Sequence, residues 1–248
     1  MKISLIDRQK NCTTSNFLLV KFYLELNGHK VTVSDHTDDD SDIVFYCGCA
    51  LTDKIIEVNT DEIVNIKDKP VFTFGCISHF LKSDTSIDEI FYTCVTWKLA
   101  KEMFVDTSGN NTGMILVSEG CKNNCSYCNV KLAKKELKST SLESIFKQLD
   151  YYVSRNKYRV ILASDDLSFY GQDIGTNLEE LLTLISTNYP NVKLILRAIN
   201  PKGIIDYFPL LEKMIRTNQI VKVTVDIQSG SNRILSLMNR NYDIDLFI

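Results

Sequence analysis

Three cysteines stand close together in the middle of the chain, at the spacing Cys-x3-Cys-x2-Cys. They are Cys121, Cys125 and Cys128, and they follow a short apolar run. A structural zinc ion takes four ligands in a tetrahedron, whereas three thiolates on a cubane [4Fe–4S] cluster leave one iron open to another ligand. The spacing therefore favours an iron–sulfur cluster with an open iron. The alternative is a zinc knuckle that borrows a distant fourth ligand.

A second group of cysteines lies in the N-terminal third, at the ends of predicted strands. Cys12 follows the first strand, Cys47 and Cys49 follow the third, and Cys76 follows the fourth. Carboxyl ends of parallel strands share one edge of a sheet, where open α/β folds bind their ligands. These thiols could converge on one metal centre, or they could pack as small hydrophobic side chains. Cys94 lies away from the strand ends and is interpreted as structural.

The elements that must position these cysteines alternate between strand and helix. In the first part of the chain, strands are predicted over residues 2–6, 30–34, 43–46 and 70–74, and helices over 15–27 and 53–58. This alternation predicts a small doubly wound α/β domain, to which we assign residues 1–105.

A polar stretch without periodicity, residues 98–112, predicts the domain boundary. Four strand–helix units follow, with strands predicted from residues 114, 159, 193 and 221. The helices are predicted from a capping-box pattern at residues 140–143 to about residue 154, over 177–186 and 207–216, and from residue 231 onward. They predict a partial (β/α) barrel over residues 112–248, whose site would lie at the carboxyl ends of the strands.

The composition is that of a globular protein, with 248 residues of which 44% are hydrophobic and 24% charged. No apolar run reaches the ~18 residues of a membrane span, and the N-terminus does not resemble a signal peptide. Eight cysteines without a secretory signal indicate metal or redox chemistry in a reducing compartment, so we expect a cytoplasmic protein. The net charge of −3 argues against a large nucleic-acid footprint. Any RNA contact would be local; one candidate is the set Lys131, Lys134, Lys135 and Lys138, which could equally be a solvated segment.

Three stretches together resemble the radical S-adenosylmethionine (SAM) methylthiotransferases. They are the cysteine loop with Tyr127 directly before its third cysteine, residues 163–178, and residues 228–242. The segment Tyr-Gly-x-Asp-Ile-Gly-Thr-Asn-Leu from Tyr170, and the pairs Leu196-Arg197 and Asn200-Pro201, most resemble the archaeal and eukaryotic type, which modifies threonylcarbamoyladenosine in tRNA. The resemblance covers nearly the whole chain. It departs from the family at Lys134-Lys135, where an Arg-Gly pair is usual, and at Cys47, where an Asn is usual.

The resemblance implies two [4Fe–4S] clusters and SAM as cofactors. The cluster on Cys121, Cys125 and Cys128 would bind SAM through its open iron and, with an electron from a donor such as flavodoxin or ferredoxin, yield a 5′-deoxyadenosyl radical. A second cluster, on Cys12, Cys49 and Cys76, would hold the sulfur that becomes the methylthio group. Tyr127 would lie near the adenine of SAM. Asp166, Gln228 and Ser229 would bind its ribose or its methionine part.

The family members continue through two further βα units and an RNA-binding β-barrel, so we expect this chain to be a fragment or a reduced relative. The expected function is insertion of a methylthio group at a C–H bond of threonylcarbamoyladenosine in tRNA. Two alternatives stay open. One is a radical SAM enzyme that acts on a peptide or metabolite, and the other is a truncated, inactive relative that keeps cluster binding.

Overall fold

The computed structural model describes residues 1–8, 20–79 and 112–248, apart from positions 22, 26, 38, 39, 51, 130, 132, 133 and 135. The chain divides into two compact units. Unit 1 comprises Met1–Val105 with Cys128–Lys134, and unit 2 comprises Asp106–Tyr127 with Lys135–Ile248. The domains predicted over 1–105 and 112–248 differ from these units in the segment Cys128–Lys134. Within the described ranges, no helix combines the length and apolar character needed to cross a membrane.

Unit 1 contains a four-stranded parallel sheet in the order β2-β1-β3-β4. Its elements are β1 (Lys2–Asp7), β2 (Lys30–Ser34), β3 (Ile43–Cys47), α1 (Asp53–Asn65), β4 (Val71–Phe74) and a 3₁₀ turn (Cys76–His79). Thr52 starts α1 as its N-cap, because its side chain accepts the Ile55 amide.

Apolar residues cover both faces of this sheet. On one face, Ile3 and Leu5 pack with Leu24, which belongs to a helical stretch before β2. On the other face, Ile6 and Tyr46 pack with Ile63 of α1. Successive strand residues point to opposite faces, so helices on both sides bury them. The predicted doubly wound arrangement is confirmed.

Unit 2 contains a second parallel sheet, in the order β10-β9-β8-β5. Its strands are β5 (Thr112–Leu116), β8 (Arg159–Ala163), β9 (Lys193–Ile199) and β10 (Ile220–Val225), with the short antiparallel pair β6 (Ser118–Glu119) and β7 (Lys138–Ser139). Its helices are α2 (Leu142–Ser154), α3 (Leu178–Asn188), α4 (Pro201–Asp206), α5 (Phe208–Arg216), α6 (Asn232–Leu237) and α7 (Ile244–Phe247), with a 3₁₀ turn at Leu167–Phe169. Each strand of the sheet pairs with the next one along the chain, as in a (β/α) barrel. The predicted partial barrel is confirmed.

The core of unit 2 lies between the sheet and its helices. Leu162 and Leu196 of the sheet are fully buried with Leu149 of α2 and Ile185 of α3. Because the strands are parallel, the segments that follow β8, β9 and β10 emerge at one edge of the sheet. This edge is where the polar residues of the candidate site lie.

Candidate functional site

Gly120 sets the direction of the chain as it enters the cysteine loop. Its φ of 82° lies in the left-handed region, and a Cβ there would collide with the Glu136 carbonyl. Its amide donates to Oδ2 of Asp165 over 2.8 Å. The loop therefore begins from a backbone turn that only glycine fits.

Cys121, the first cysteine of the loop, is half-buried among polar groups. The Asn123 amide donates to its Sγ over 3.4 Å, and its Sγ lies 3.8 Å from Oδ2 of Asp166. Burial raises the pKa of the thiol to about 12, as does the negative charge of Asp166, while the Asn123 amide acts in the opposite direction. A bound cation would replace the thiol proton beside this carboxylate.

Asp166 connects three segments of unit 2. It is only 5% exposed and caps the 3₁₀ turn after β8, where its Oδ1 accepts the Ser168 amide over 3.1 Å. Its Oδ2 accepts Nδ2 of Asn123 over 2.9 Å and Nδ2 of Asn200, which follows β9, over 2.6 Å. Both carboxylate oxygens are thus bound by the chain itself, and they hold the cysteine loop against the ends of β8 and β9.

Cys125, the second cysteine, is buried beside a guanidinium group. Nη1 of Arg240 lies 3.6 Å from its Sγ, and Nη2 of Arg240 donates to the Asp226 carbonyl over 2.7 Å. Burial acts to lower the pKa of Arg240, but the hydrogen bond to Cys125 and the neighbouring Tyr127 and Tyr242 outweigh it, so the pKa is raised.

The rest of the loop is fixed to the end of α6. The Ser126 amide donates to the Met238 carbonyl and its hydroxyl to the Leu237 carbonyl, both over 3.1 Å. Nδ2 of Asn239 donates to the Asn124 carbonyl over 2.6 Å. We call these contacts the α6 clamp. Each of these contacts ends on a backbone carbonyl and none uses a cysteine side chain, so the clamp leaves the thiols of the loop available as ligands.

The donor set of the loop fits thiolate ligands of a cluster. Cys121 receives a backbone N–H and Cys125 a guanidinium N–H, and both kinds of hydrogen bond stabilise negative sulfur. Cys128 is half-buried and belongs to unit 1. In the described part of the chain, no three His, Cys, Asp or Glu side chains are gathered around a point where one metal ion would sit. A cubane differs from such a site, because each thiolate binds a different iron.

The remaining residues predicted to contact SAM have different environments. Tyr127 is 40% exposed. Gln228 is exposed, with a φ of 67° that is uncommon for a residue with a side chain. Ser229 is half-buried, and its hydroxyl accepts the Ser231 amide over 3.2 Å. Gln228 and Ser229 follow β10 at the same sheet edge as Asp166.

A cavity of about 240 Å³ opens beside the loop in unit 2. Asn123, Asn200, Lys202 and Arg240 contribute polar groups to its wall, and Tyr207 contributes an aromatic ring. Lys202 also pairs with Asp206 over 2.6 Å. The wall is therefore rich in donors from the loop and from the end of β9.

In unit 1, two predicted ligands of the second cluster lie on connected turns. Cys49 follows β3, Cys76 follows β4, and the Ile77 amide donates to the Gly48 carbonyl between them over 3.2 Å. Cys76 is 5% exposed and Cys49 half-buried. Cys12 and Cys94 lie outside the described residues. Cys47 is the last residue of β3 and is fully buried in the apolar core, so it packs as a small hydrophobic side chain.

The predicted basic patch is wrong in part. Lys134 is only 7% exposed and so is not available for a phosphate contact. Lys131 and Lys138 are half-buried, and Lys135 lies outside the described residues. Lys131 belongs to unit 1 and Lys138 to unit 2.

Sequence reasoning did not assign a role to Asn123, Asn200 or Arg240. Their contacts with Asp166 and Cys125 join residues 34 to 115 positions apart, which no local pattern reveals. The one available signal was that all three residues stand inside the segments that carried the family resemblance.

Residues 115–248, more than half of the chain, match the family model described as the Radical SAM superfamily. Among curated proteins, the chain is 28% identical to the "probable threonylcarbamoyladenosine tRNA methylthiotransferase" of Pyrococcus horikoshii, over 90% of this chain and 59% of that protein. It is 26% identical to the "ribosomal protein uS12 methylthiotransferase RimO" of Thermosipho africanus, over 90% and 58%. The chain thus spans less than two thirds of the length of these relatives.

Solved structures share the fold. The radical SAM methyltransferase TsrM from Kitasatospora setae aligns with 99% of this chain at a TM-score of 0.57 and 14% identity, and the chain covers 64% of it. The cobalamin-dependent radical SAM enzyme OxsB aligns with 99% of this chain at a TM-score of 0.54 and 14% identity, and the chain covers 46% of it.

Proposed function

Since the chain belongs to the radical SAM superfamily, we propose that it is a methylthiotransferase domain that inserts a methylthio group at a C–H bond. The observation that carries the proposal is the cysteine loop: its Cys121 and Cys125 lie at the carboxyl edge of the unit 2 sheet, where the α6 clamp holds the loop, and Cys128 follows at the spacing of the motif. The similarity to methylthiotransferases over 90% of this chain supports the choice of reaction.

The chain's own residues would bind and orient the cofactors. A [4Fe–4S] cluster on the loop, together with SAM, supplies the radical chemistry. Asp166 has both oxygens engaged within the chain, so we assign it to holding Asn123 and Asn200 in place rather than to a direct SAM contact. Of the residues predicted from the sequence to contact SAM, Tyr127, Gln228 and Ser229 keep that role in the proposal.

The cavity beside the loop is our candidate for the amino-acid end of SAM. The side-chain amides of Asn123 and Asn200 each have a second N–H besides the one that Asp166 accepts. These N–H groups and the ammonium of Lys202, which also pairs with Asp206, are donors suited to a carboxylate. A volume of about 240 Å³ suits part of a ligand, because whole ligand pockets usually measure about 300–1,000 Å³.

A second cluster on Cys12, Cys49 and Cys76 is part of the proposal. Its support is that β1, β3 and β4 are neighbours in the sheet and that the turns bearing Cys49 and Cys76 are hydrogen-bonded to each other. A one-electron donor such as flavodoxin or ferredoxin and a cytoplasmic location also remain proposals.

For the substrate, we propose threonylcarbamoyladenosine in tRNA, as in the name of the archaeal relatives. A second candidate is ribosomal protein uS12, because relatives that are 26% identical to this chain carry that name. The two differ in chemical class, so a direct assay separates them. Purified protein is incubated with SAM, a sulfide source and a reductant, with either tRNA or uS12 as the acceptor. Mass spectrometry then locates any added methylthio group.

The cofactor proposal is tested by anaerobic reconstitution. Two clusters predict close to eight irons per chain, and alanine at Cys121, Cys125 and Cys128 together should leave about four. Reduced wild-type protein should convert SAM to 5′-deoxyadenosine, and Cys125→Ala should not. If the wild-type protein never binds more than four irons per chain, the proposed second cluster is wrong. If the protein binds a cluster whose spectrum does not change on addition of SAM, the alternative of an inactive relative is favoured.

A further inference from the structure

Arg240 places a cationic side chain directly against the cysteine loop. Its Nη1 lies 3.6 Å from Sγ of Cys125, and its Nη2 donates to the Asp226 carbonyl at the end of β10 over 2.7 Å. The ring of Tyr242 lies 5.6 Å from its Cζ. The guanidinium is thus held from both sides, with one N–H directed at a predicted cluster ligand.

The third donor of the same side chain, Nε, is buried and has no hydrogen-bond partner among the described residues. The charge of Arg240 is therefore partly removed from water. A desolvated charge acts on its neighbours with less screening than a surface charge does. Arg240 is half-buried, and Cys125, with 5% exposure, is more completely withdrawn from solvent.

We propose that Arg240 is a positioning residue that raises the reduction potential of a cluster bound to Cys125. The inference rests on the proposed function in one respect, since it requires the cluster on this loop. Reduction transfers one electron from a low-potential donor to the cluster, which becomes more negative by one charge. A fixed cation and an N–H···S bond stabilise that reduced state more than the oxidised state. Removing them should therefore make the cluster harder to reduce.

Two carboxylates act in the opposite sense in the same region. Asp166 lies against Cys121, and Asp226 interacts electrostatically with Arg240. Loss of the Arg240 charge would leave Asp226 without this compensation, while the negative charge of Asp166 would remain beside Cys121. The potential should then fall, not merely stay constant.

The test measures a midpoint potential without SAM or substrate. The whole 248-residue chain with alanine at Cys12, Cys49 and Cys76 is expected to carry only the loop cluster. It is titrated anaerobically with dithionite in the presence of redox dyes, and EPR measures the amount of reduced cluster. In R240Q we expect on the order of tenfold less reduced cluster at a given potential, a midpoint ~59 mV more negative. The matched control is R233Q, which removes the same charge from an exposed position of α6.

An R240Q potential equal to that of R233Q overturns the inference and leaves the proposed function standing. If R240Q fails to load iron, R240M decides, because methionine keeps an unbranched apolar side chain but removes the charge and both guanidinium contacts. We expect R240M to load a cluster with a potential below the wild-type value, and an unchanged potential would overturn the inference. A wild-type loop that takes up no iron would overturn both the inference and the proposed function.

Discussion

Asp166 accepts hydrogen bonds from the cysteine loop, from its own 3₁₀ turn and from the residue after β9. A carboxylate can accept at both oxygens, whereas an amide of the same shape offers one oxygen and two N–H donors. Position 166 therefore requires two acceptor oxygens, which a carboxylate has and an amide of the same shape lacks. This requirement leads to a stability prediction.

Asp166→Asn should lower the free energy of unfolding by about 1–3 kcal/mol, because its NH2 group would face either the side-chain amides of Asn123 and Asn200 or the Ser168 amide, all of which are donors. Urea denaturation followed by circular dichroism measures the change. The control is Asp165→Asn at the half-buried neighbouring position, where we expect a smaller loss. An equal decrease in the free energy of unfolding in the two variants would mean that the hydrogen bonds of Asp166 stabilise the fold no more than those of Asp165.

Tyr170 makes stability depend on pH in the alkaline range. It is fully buried, its hydroxyl donates to the Thr140 carbonyl over 2.9 Å, and burial together with Asp173 and Glu180 raises its pKa. The folded state keeps the phenol proton above pH ~10, where the unfolded chain releases it. The contribution is thus fully present below pH ~10 and is lost as the pH rises further.

Tyr170→Phe should cost about 1 kcal/mol at pH 8, for the lost hydrogen bond, and should flatten the fall in stability between pH ~10 and ~11. Tyr189, whose pKa burial and Asp150 raise to about 12, keeps part of that slope. Tyr158→Phe, at a 39% exposed position, serves as the control. An unchanged slope in Tyr170→Phe would contradict the assignment.

At the scale of elements, most of the strands could be predicted, but the start of α2 could not. The pattern Thr140-x-x-Glu143 predicts a capping box with Thr140 as the N-cap. In the structure the N-cap is Ser141, whose hydroxyl accepts the Ser144 amide. Thr140 is one residue too early, because its hydroxyl donates to the Leu116 carbonyl and its amide to the Val117 carbonyl. A tertiary contact thus overrides the local motif.

Ser141→Ala should therefore cost about 1 kcal/mol, the usual loss for an N-cap. Thr140→Val, which keeps the shape of the fully buried side chain, should cost about 1–3 kcal/mol because the Leu116 carbonyl loses its donor. Thermal unfolding of both variants ranks the two positions. A larger effect at Ser141 than at Thr140 would reverse this interpretation.

The sequence pattern did not predict helix α4, although residues typical of a helix start are present. Asn200 caps it with its side chain, and Pro201 stands at its first position, a combination that favours helix initiation. Its six residues and internal Gly203 concealed the helical periodicity. Gly203 packs against the Ser168 hydroxyl, which explains why a poor helix former occupies that position.

At the scale of the whole molecule, the fold class followed from the alternation of strands and helices, and the family match supports the cofactor class. The assignment of Cys128–Lys134 to unit 1 could not be predicted, because it depends on tertiary contacts rather than on chain order. The net charge of −3 is also a property of the whole chain, and it predicts weak binding of tRNA.

We expect this chain by itself to bind tRNA weakly and with strong salt dependence. If roughly three phosphates are contacted, raising the salt concentration fourfold should lower the affinity roughly 40-fold. Filter binding or fluorescence anisotropy with unmodified tRNA measures this slope. Lys131→Ala with Lys138→Ala should reduce the slope if these side chains are among the contacts. Tight tRNA binding that does not depend on salt concentration would contradict the expectation drawn from the net charge.

The α6 clamp also has a consequence for the order of events during synthesis. Ser126 and its partner Leu237 are 111 residues apart in the chain. At about 5–20 residues per second, a ribosome needs roughly 6–22 s to make that stretch. Throughout this interval the cysteines of the loop have been synthesised, but the Leu237 and Met238 carbonyls that bind Ser126 have not. Iron delivered to a finished loop therefore arrives after the C-terminal part of this chain has been made, and until then the exposed thiols depend on the reducing capacity of their surroundings.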